Sequence, residues 1–433
     1  MSIFTDMNYS NPFVGIYIAG VIFTVVLNQW LEFTDYRHRL VHGTEIPQEL
    51  KGLITGDELV HTCSYENMKY FLWVPQHLAT VGLAVFLLLS GFYPVLFNRV
   101  WDWCSNIYIT ALFFFLFAAV PGFVLSLPFE LVREFHIEKK YGFSTVTPVL
   151  WIIDQLKSLL LAGILSGILL LAMIAVLEHA AGWWWLLLGT VYIVFSLVVS
   201  FLYPSVIAPL FNKFTPVEDG ELKSRILTLM ERTGFRTEGV YVMDASKRSN
   251  HSNAYFTGFG KNKRIVLFDT LVRQLSPEEI VAVLGHELGH YKCHHIVKRM
   301  AVMIPLVFMI LFAVSRIVSL PGLYQAFGFE TPAGLFPHMR FIGLFLLATV
   351  FSGYSDIAGC IGNWFSRRDE FEADRYSATL CGSSDPLVGA LIKLNSKNLS
   401  EITPPKIYCI FNYSHPPLLE RIRALGYGGR KNG

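Results

Sequence analysis

Seven long apolar segments constrain the fold of this chain more than any other feature. A helix needs about 20 predominantly apolar residues to cross the hydrocarbon core of a bilayer. Segments of this kind run roughly over 13–31, 70–97, 107–128, 157–177, 183–209, 300–323 and 341–364. Only 16% of the 433 residues are charged, whereas about 25% are charged in soluble domains. The sequence therefore predicts a mainly α-helical, polytopic membrane protein with seven transmembrane helices.

Two polar segments divide the chain. The longer one covers 211–299, between the fifth and sixth apolar segments, and the other covers 365–433. The predicted organisation is spans one to five in 1–210, a polar segment, spans six and seven in 300–364, and a C-terminal segment. The net charge of +2 gives no reason to expect a nucleic-acid partner.

Loop charges predict the orientation of the chain, because Lys and Arg accumulate in cytoplasmic loops. The connection 178–183 and the N-terminal tail contain neither residue. The first loop, by contrast, contains Arg37, Arg39 and Lys51, and the third contains Arg133, Lys139 and Lys140. Alternation then places both polar segments in the cytosol. The glycosylation sequon at Asn8 would be lumenal, and those at Asn398 and Asn412 would be cytosolic.

Polar residues also lie inside the predicted spans. They are Gln76, His77, Arg316 and Asp356. Such groups commonly face a water-filled cavity or pair with one another. The alternative is that Asp356 forms a structural pair and that the Arg316 side chain extends to the membrane surface. The two interpretations are equally well supported.

A metal-binding motif stands near the end of the first polar segment. Ser276 and Glu279 form a predicted capping box with Pro277 at the first helical position. The helix continues into His286-Glu287-Leu-Gly-His290, whose two histidines share one helical face and can bind one zinc ion. Glu287 lies beside that ion and can accept a proton from its water. Two histidines with a neighbouring glutamate are typical of a catalytic zinc site rather than a structural one.

The third metal ligand is expected from another part of the chain. Cys293, His294 and His295 follow the motif, but on one straight helix His294 would stand about 12 Å along the axis from His286. The best alternative is the acidic run Asp369-Glu370-Phe-Glu372-Ala-Asp374.

Two carboxylates of this acidic run are suitably spaced. Glu370 and Asp374 share a helical face, so one can bind the metal while the other orients a ligand imidazole. Glu372 points about 200° away from Glu370 and is expected to matter little. Without the upstream motif, such an acidic run would more often be a solvated helical face.

Three β-branched and aromatic runs precede the metal-binding helix. They cover 239–244, 253–259 and 264–269, with a turn at Gly260-Lys-Asn, and predict a small β-meander. An edge strand in the second run could pair with an extended peptide substrate. The candidate substrate-binding residues are Asn253, Ala254, Tyr255 and Phe256. An ordinary surface hairpin remains the alternative.

Several motifs together resemble the type I CAAX prenyl proteases, which are integral-membrane zinc metalloproteases of the endoplasmic reticulum. The matching stretches are Ile207-Ala-Pro-Leu-Phe-Asn-Lys-Phe-Thr-Pro216, Asn253-Ala-Tyr-Phe-Thr-Gly-Phe259, Val266-Leu-Phe-Asp-Thr-Leu271, the His286–His290 motif, Glu370-x-x-x-Asp374 and Ser414-His-Pro-Pro-Leu-Leu-Glu-Arg421. The resemblance implies seven helices around a chamber and a zincin-like catalytic segment, residues 211–299, that faces the cytosol. It also implies removal of the last three residues of prenylated Cys-a-a-X proteins, at the endoplasmic reticulum and by extension the inner nuclear membrane.

The resemblance assigns roles residue by residue. His286, His290 and Glu370 would bind one zinc ion, and Glu287 would be the catalytic base. Asp374 would support a ligand. Asn253, His415 and Arg421 match residues that line the site or contact the substrate, and we expect His415 and Arg421 to assist catalysis.

Three other functions fit parts of the pattern. A membrane quality-control protease of broad specificity would need the same zinc site. A site-2-type intramembrane protease is disfavoured, because polar residues flank the HExxH motif here. A zinc-dependent transporter or scaffold would need no base at Glu287.

Overall fold

The computed structural model describes residues 10–235, 237–257 and 264–427. The turn at 260–262 and the sequon residue Asn8 lie outside the described residues. The α-helices of the described part are α1 (Pro12–His42), α2 (Gly56–Leu89), α3 (Phe92–Cys104), α4 (Ile107–Val132), α5 (Pro148–His179), α6 (Trp184–Leu202), α7 (Glu221–Thr233), α8 (Asp269–Gln274), α9 (Pro277–Lys292), α10 (His295–Ile317), α11 (Pro321–Gln325), α12 (Arg340–Phe351), α13 (Ser355–Cys381), α14 (Asp385–Lys397), α15 (Lys406–Asn412) and α16 (Leu418–Ala424). The strands are β1 (Phe214–Pro216), β2 (Gly239–Met243), β3 (Ala254–Thr257) and β4 (Arg264–Phe268).

The seven predicted spans are confirmed as helices long and apolar enough to cross a membrane. Their bounds are Pro12–His42, Gly56–Leu89, Ile107–Glu138, Pro148–His179, Trp184–Leu210, His295–Ile317 and Phe336–Cys381. The second differs from the predicted 70–97 at both ends. It ends at Leu89 because Gly91 adopts φ 78°, a left-handed conformation that glycine adopts without strain, and α3 begins at Phe92.

Hydrogen bonds satisfy some of the polar groups within the spans. Thr24 and Asn28 of α1 both donate to Asp356 Oδ2 of α13, at 2.8 and 2.9 Å. Gln29 Nε2 lies 3.0 Å from His77 Nδ1 on α2. The guanidinium of Arg316 lies 5.8 Å from the centre of the Phe312 ring. Asp356 therefore makes a structural contact between two spans.

The small sheet has four strands in the order β1-β2-β4-β3. β4 pairs in parallel with β2 and antiparallel with β3, so the predicted β-meander is wrong although its three strands exist. Ile265, Val266 and Leu267 of β4 are buried, and a strand buried on both faces takes a central position. β3 consequently lies at the edge of the sheet, as the substrate-pairing hypothesis requires.

The two polar segments meet at one end of the helical bundle. Leu50 and Ile54 of the first loop pack in one core with Val388 and Ile402 of the C-terminal segment. At the start of α5, Asp154 accepts hydrogen bonds of 2.7 and 2.9 Å from Arg248 of the first polar segment. The parts of the chain predicted to share a metal therefore lie on the same side.

Candidate metal centre

Helix α9 begins as the sequence predicts. The Glu279 N–H donates to Ser276 Oγ at 3.3 Å, and Glu279 Oε2 accepts from the Ser276 N–H at 2.8 Å. Lys393 of α14 also contacts the Glu279 carboxylate, at 2.7 Å. This anchored start fixes the rotation of α9 and hence the direction of His286 and His290.

Two glycines allow α9 to lie directly against α13. A Cβ atom at Gly289 would stand 2.8 Å from Ala373 Cα, and one at Gly285 would stand 3.0 Å from Ser377 Oγ. Ser377 Oγ donates to the Ala282 carbonyl at 2.6 Å and joins the two backbones. Glycines four residues apart permit such close helix packing. The approach brings the acidic run of α13 within reach of the two histidines.

The three predicted metal ligands converge on one point. His286 Nε2 and His290 Nε2 are 3.2 Å apart. Glu370 Oε2 lies 3.4 Å from His286 Nε2, and Glu370 Oε1 lies 3.2 Å from His290 Nε2. In a tetrahedral zinc site with bonds of about 2.0–2.1 Å, two ligand atoms are about 3.3 Å apart. The spacing of the ligand atoms therefore suits one zinc-sized ion.

The electrostatics of the cluster also suit a cation. Glu370 is 3% exposed, and its Oε2 atom is buried without a hydrogen-bond partner among the described residues. Burial alone would lower the pKa of His286, but the neighbouring Asp374 and Glu370 carboxylates raise it to about 9. The carboxylates thus favour a positive charge at this imidazole. A metal ion supplies such a charge, so the residues fit the group that the motif predicts.

Asp374 supports His286 from behind. Its Oδ1 atom lies 2.8 Å from His286 Nδ1. Arg421 Nη2 and Nε donate to the two carboxylate oxygens of Asp374 at 2.6 and 2.8 Å. Asp374 is thus held between an imidazole and a bidentate guanidinium, an arrangement with strong geometric specificity. Arg421 also lies 3.7 Å from Glu370 Oε2.

Glu287 and His415 complete the set of predicted catalytic residues. Burial raises the pKa of the Glu287 carboxyl despite the neighbouring His286 and His290, which suits a group that must accept and release a proton. His415 Nε2 lies 3.4 Å from Glu370 Oε1, and the His415 side chain is 64% exposed. His415 can therefore reach a substrate at the edge of the metal centre.

A cavity of about 610 Å³ opens beside the centre. Asn253, His415 and Arg421 all line it, so the structure brings three of the predicted site residues together. The side chains of β3 point elsewhere: Phe256 packs on the core of the catalytic segment, and Tyr255 lines a separate small cavity. The strand can therefore meet a substrate through its backbone edge rather than through these rings.

Two features of the site were not predicted from the sequence. The first is the close contact of α9 with α13 at Gly285 and Gly289. The spacing of four residues between the two glycines is a sequence signal for such close helix packing. The second is His295, which contacts His290 and has no such signal, because the contact depends on a break between two helices. Its Nδ1 atom lies 2.9 Å from His290 Nδ1.

We predict that Gly289→Ala weakens both fold and metal site. The new methyl group must push α13 away, and such overpacking costs about 1–3 kcal/mol of unfolding free energy. Gly359→Ala is the matched control, since a Cβ there meets nothing within 4 Å. Melting temperature and zinc content would be measured for both variants. An unchanged Gly289→Ala protein would show that the helices have room to spare.

Seven membrane helices that bear an HExxH helix and a carboxylate from a second helix define a membrane metallopeptidase. Two family models match the chain and agree with this class. The model described as CAAX prenyl protease N-terminal, five membrane helices, matches residues 35–213, and that of peptidase family M48 matches residues 216–427. The chain belongs to the CAAX prenyl protease 1 family of M48 metallopeptidases.

Several relatives match most of the chain. A CAAX prenyl protease 1 homolog of Oryza sativa is 32% identical over 96% of this chain and 97% of its own length. CAAX prenyl protease 1 of Saccharomyces cerevisiae is 37% identical over 79% of this chain and 77% of its own. The crystal structure of S. mikatae Ste24p is similar, with a TM-score of 0.87 at 31% identity, and the match covers 96% of this chain and 99% of that one.

Proposed function

We propose that this metalloprotease removes the three C-terminal residues from prenylated proteins ending in Cys-a-a-X. The observation that carries the proposal is the convergence of His286, His290 and Glu370 beside the Glu287 carboxyl. His415 and Arg421, which contact this cluster, line the adjacent cavity. The names of the relatives supply the substrate class. One zinc ion is the proposed cofactor, because two imidazoles and one carboxylate form a common ligand set of catalytic zinc.

Each residue has a separate task in the proposed reaction. Zinc bound by the three ligands would polarise the scissile carbonyl and lower the pKa of a water toward about 7. Glu287 accepts the proton of the attacking water and then delivers it to the leaving amine. Asp374, held by Arg421, keeps His286 in one orientation. His415, together with Arg421, is placed to stabilise negative charge on the carbonyl oxygen.

The edge strand gives the substrate a binding mode. β3 lies at the edge of the sheet, and the core of the catalytic segment contains residues of both β3 and α9. An extended peptide added to such an edge is held by its main chain and accepts varied side chains. The residues proposed for this contact are Asn253, Ala254, Tyr255 and Phe256. The adjacent cavity offers room for the released tripeptide.

The deciding experiment uses purified full-length protein and a farnesylated Cys-a-a-X peptide. We expect release of the tripeptide, loss of release with a zinc chelator, and recovery when zinc is added back. The same peptide without its prenyl group is the control and should remain intact. Equal cleavage of both peptides would instead favour a broad-specificity quality-control protease, an alternative that the comparisons do not favour. No cleavage with zinc present would overturn the proposal.

We also propose that the protein resides in the endoplasmic reticulum membrane with its catalytic segment in the cytosol. The loop charges support this orientation. Three sequons lie on the catalytic side: Asn250 donates to the Gly142 carbonyl of the third loop at 2.7 Å, Asn398 lies 3.1 Å from His251, and Asn412 ends α15. The same proposal divides the chain into membrane parts and catalytic parts. The membrane parts are 1–210 and 300–364, and the catalytic parts are 211–299 and 365–433.

We predict that none of these three sequons is glycosylated and that the N-terminus is lumenal. A sequon-bearing extension fused before Met1 should be glycosylated in microsomes, and the same extension fused after Gly433 should not be. Sensitivity of the product to endoglycosidase H reports the result. A glycan on Asn412, or protection of 211–299 from added protease in sealed microsomes, would reverse the topology.

A further inference from the structure

His295 lies against the ring nitrogen of His290 that points away from the metal ligands. The two Nδ1 atoms are 2.9 Å apart. On its other side, His295 Nε2 lies 3.2 Å from Glu372 Oε2 of α13. The His295 side chain is 2% exposed, whereas that of Glu372 is 43% exposed. The three groups form a continuous chain from the protein surface to a proposed metal ligand.

The chain of contacts permits one arrangement of protons. A neutral His290 that binds a metal through Nε2 must carry its proton on Nδ1. That N–H donates to His295 Nδ1, which must therefore be the acceptor. The proton of His295 then stands on Nε2 and donates to the Glu372 carboxylate. Each donor in the chain meets an acceptor, as buried polar groups require.

We propose that Glu372 and His295 are positioning residues that fix the tautomer and orientation of His290. Metal-binding histidines commonly donate their second N–H to a carboxylate, and this contact raises metal affinity. His286 makes that contact directly, to Asp374 at 2.8 Å. His290 makes it through an intervening imidazole. The inference rests on the proposed ligand set and extends it to two residues that touch neither metal nor substrate.

A second metal site is the competing interpretation of the same residues. Ligand atoms of Cys293, His295 and Glu372 lie within 4.8 Å of one another. A metal on His295 Nε2 would require that nitrogen to lose its proton while Nδ1 still accepts from His290. His295 would then be an imidazolate anion, which a neutral histidine does not readily become. The hydrogen-bonded chain and the second metal therefore exclude each other when His290 holds its ion.

Asp369 provides a matched control for Glu372. It is the other carboxylate near His295, with Oδ1 3.8 Å from Nε2. Its Oδ2 atom, however, accepts from Arg299 at 2.9 Å. Removing either carboxylate deletes one negative charge on the same turn of α13, but only Glu372 is within hydrogen-bonding distance of His295. Glu372 is also exposed enough to be replaced without disturbing the core, unlike His295.

The test compares wild-type protein with Glu372→Ala, Glu372→Gln and Asp369→Ala. We expect Glu372→Ala to bind Zn²⁺ about 10-fold more weakly than the wild type, because the loss of a group that supports a metal ligand lowers metal affinity. The affinity is measured by competition with a chelator. The absorption spectrum of its Co²⁺ form should also change, because the imidazole is less well oriented. Glu372→Gln keeps an acceptor and should recover most of the affinity. Asp369→Ala should behave as wild type.

Two results would overturn the proposal. If Glu372→Ala kept the Zn²⁺ affinity and the Co²⁺ spectrum of the wild type, Glu372 and His295 would not act on His290. Two zinc ions per wild-type chain, falling to one in Glu372→Ala, would establish the second metal site instead. If wild-type protein itself bound no zinc, the proposed ligand set would fail and the positioning role with it. Failure of the ligand set is therefore seen in the zinc content of the wild type, whereas failure of the positioning role is seen only when the variants are compared with the wild type.

Discussion

Glu287→Ala is expected to abolish peptide cleavage while the protein keeps its zinc. Glu287 follows His286 by one position, so it points about 100° away around the helix axis and contributes no atom to the ligand cluster. Its loss removes the group that accepts the proton of the attacking water. General-base catalysis is worth about 10²–10⁴-fold in rate, so kcat should fall by at least about 100-fold.

The controls separate chemistry from metal binding. Glu287→Gln has the same shape without the base and should be equally inactive. His286→Ala removes a ligand and should lose both zinc and activity. Zinc per chain and cleavage of a farnesylated Cys-a-a-X peptide would be measured for all three proteins. An empty metal site in Glu287→Ala would show that the roles of Glu287 and the histidines are not divided as proposed.

Features encoded by adjacent residues were predictable from the sequence. Each membrane span contains one long apolar run, and the requirement for intrahelical hydrogen bonding in lipid leaves little freedom in how that run folds. The start of α9 was predictable for a similar reason, since Ser276, Pro277 and Glu279 act on one turn. The end of the second span was not, because a single glycine in a left-handed conformation decides it.

The order of the strands was not predictable from their local patterns. The runs at 239–244, 253–259 and 264–269 all read as strands, and consecutive strands often pair. The buried β4 instead lies between β2 and β3. The burial of Ile265 and Leu267 depends on contacts with α7 and α9, which the strand sequences alone do not reveal.

The contact between His290 and His295 depends on a break between α9 and α10. On one straight helix, His294 and His295 would lie farther along the axis. α9 ends at Lys292, and His294 adopts φ 60°, an uncommon conformation for a residue other than glycine. α10 starts at His295 after this break, and the His295 ring contacts His290. The acidic run of α13 then meets both histidines, with Glu370 at one and Glu372 at the other.

Glu370→Ala is expected to remove both zinc and activity. α13 runs without interruption from Ser355 to Cys381 and places Glu370 and Asp374 on the face toward α9. Both Glu370 oxygens face ligand nitrogens, whereas Asp374 meets His286 on its other ring nitrogen. Loss of Glu370 should therefore weaken zinc binding by more than the roughly 10–100-fold that loss of a supporting group costs.

Asp374→Asn supplies the comparison within the same helix. The amide keeps the shape but loses the charge that faces both Arg421 and His286, so zinc affinity should fall by about 10–100-fold while some activity remains at high zinc. Zinc content and peptide cleavage would be measured in Glu370→Ala, Asp374→Asn and Glu372→Ala. These measurements rank the three carboxylates by their contribution to zinc binding and activity. We expect Glu370 first, Asp374 second and Glu372 third. If Glu372→Ala lost the metal while Glu370→Ala kept it, the register of α13 against α9 would be wrong by about half a turn.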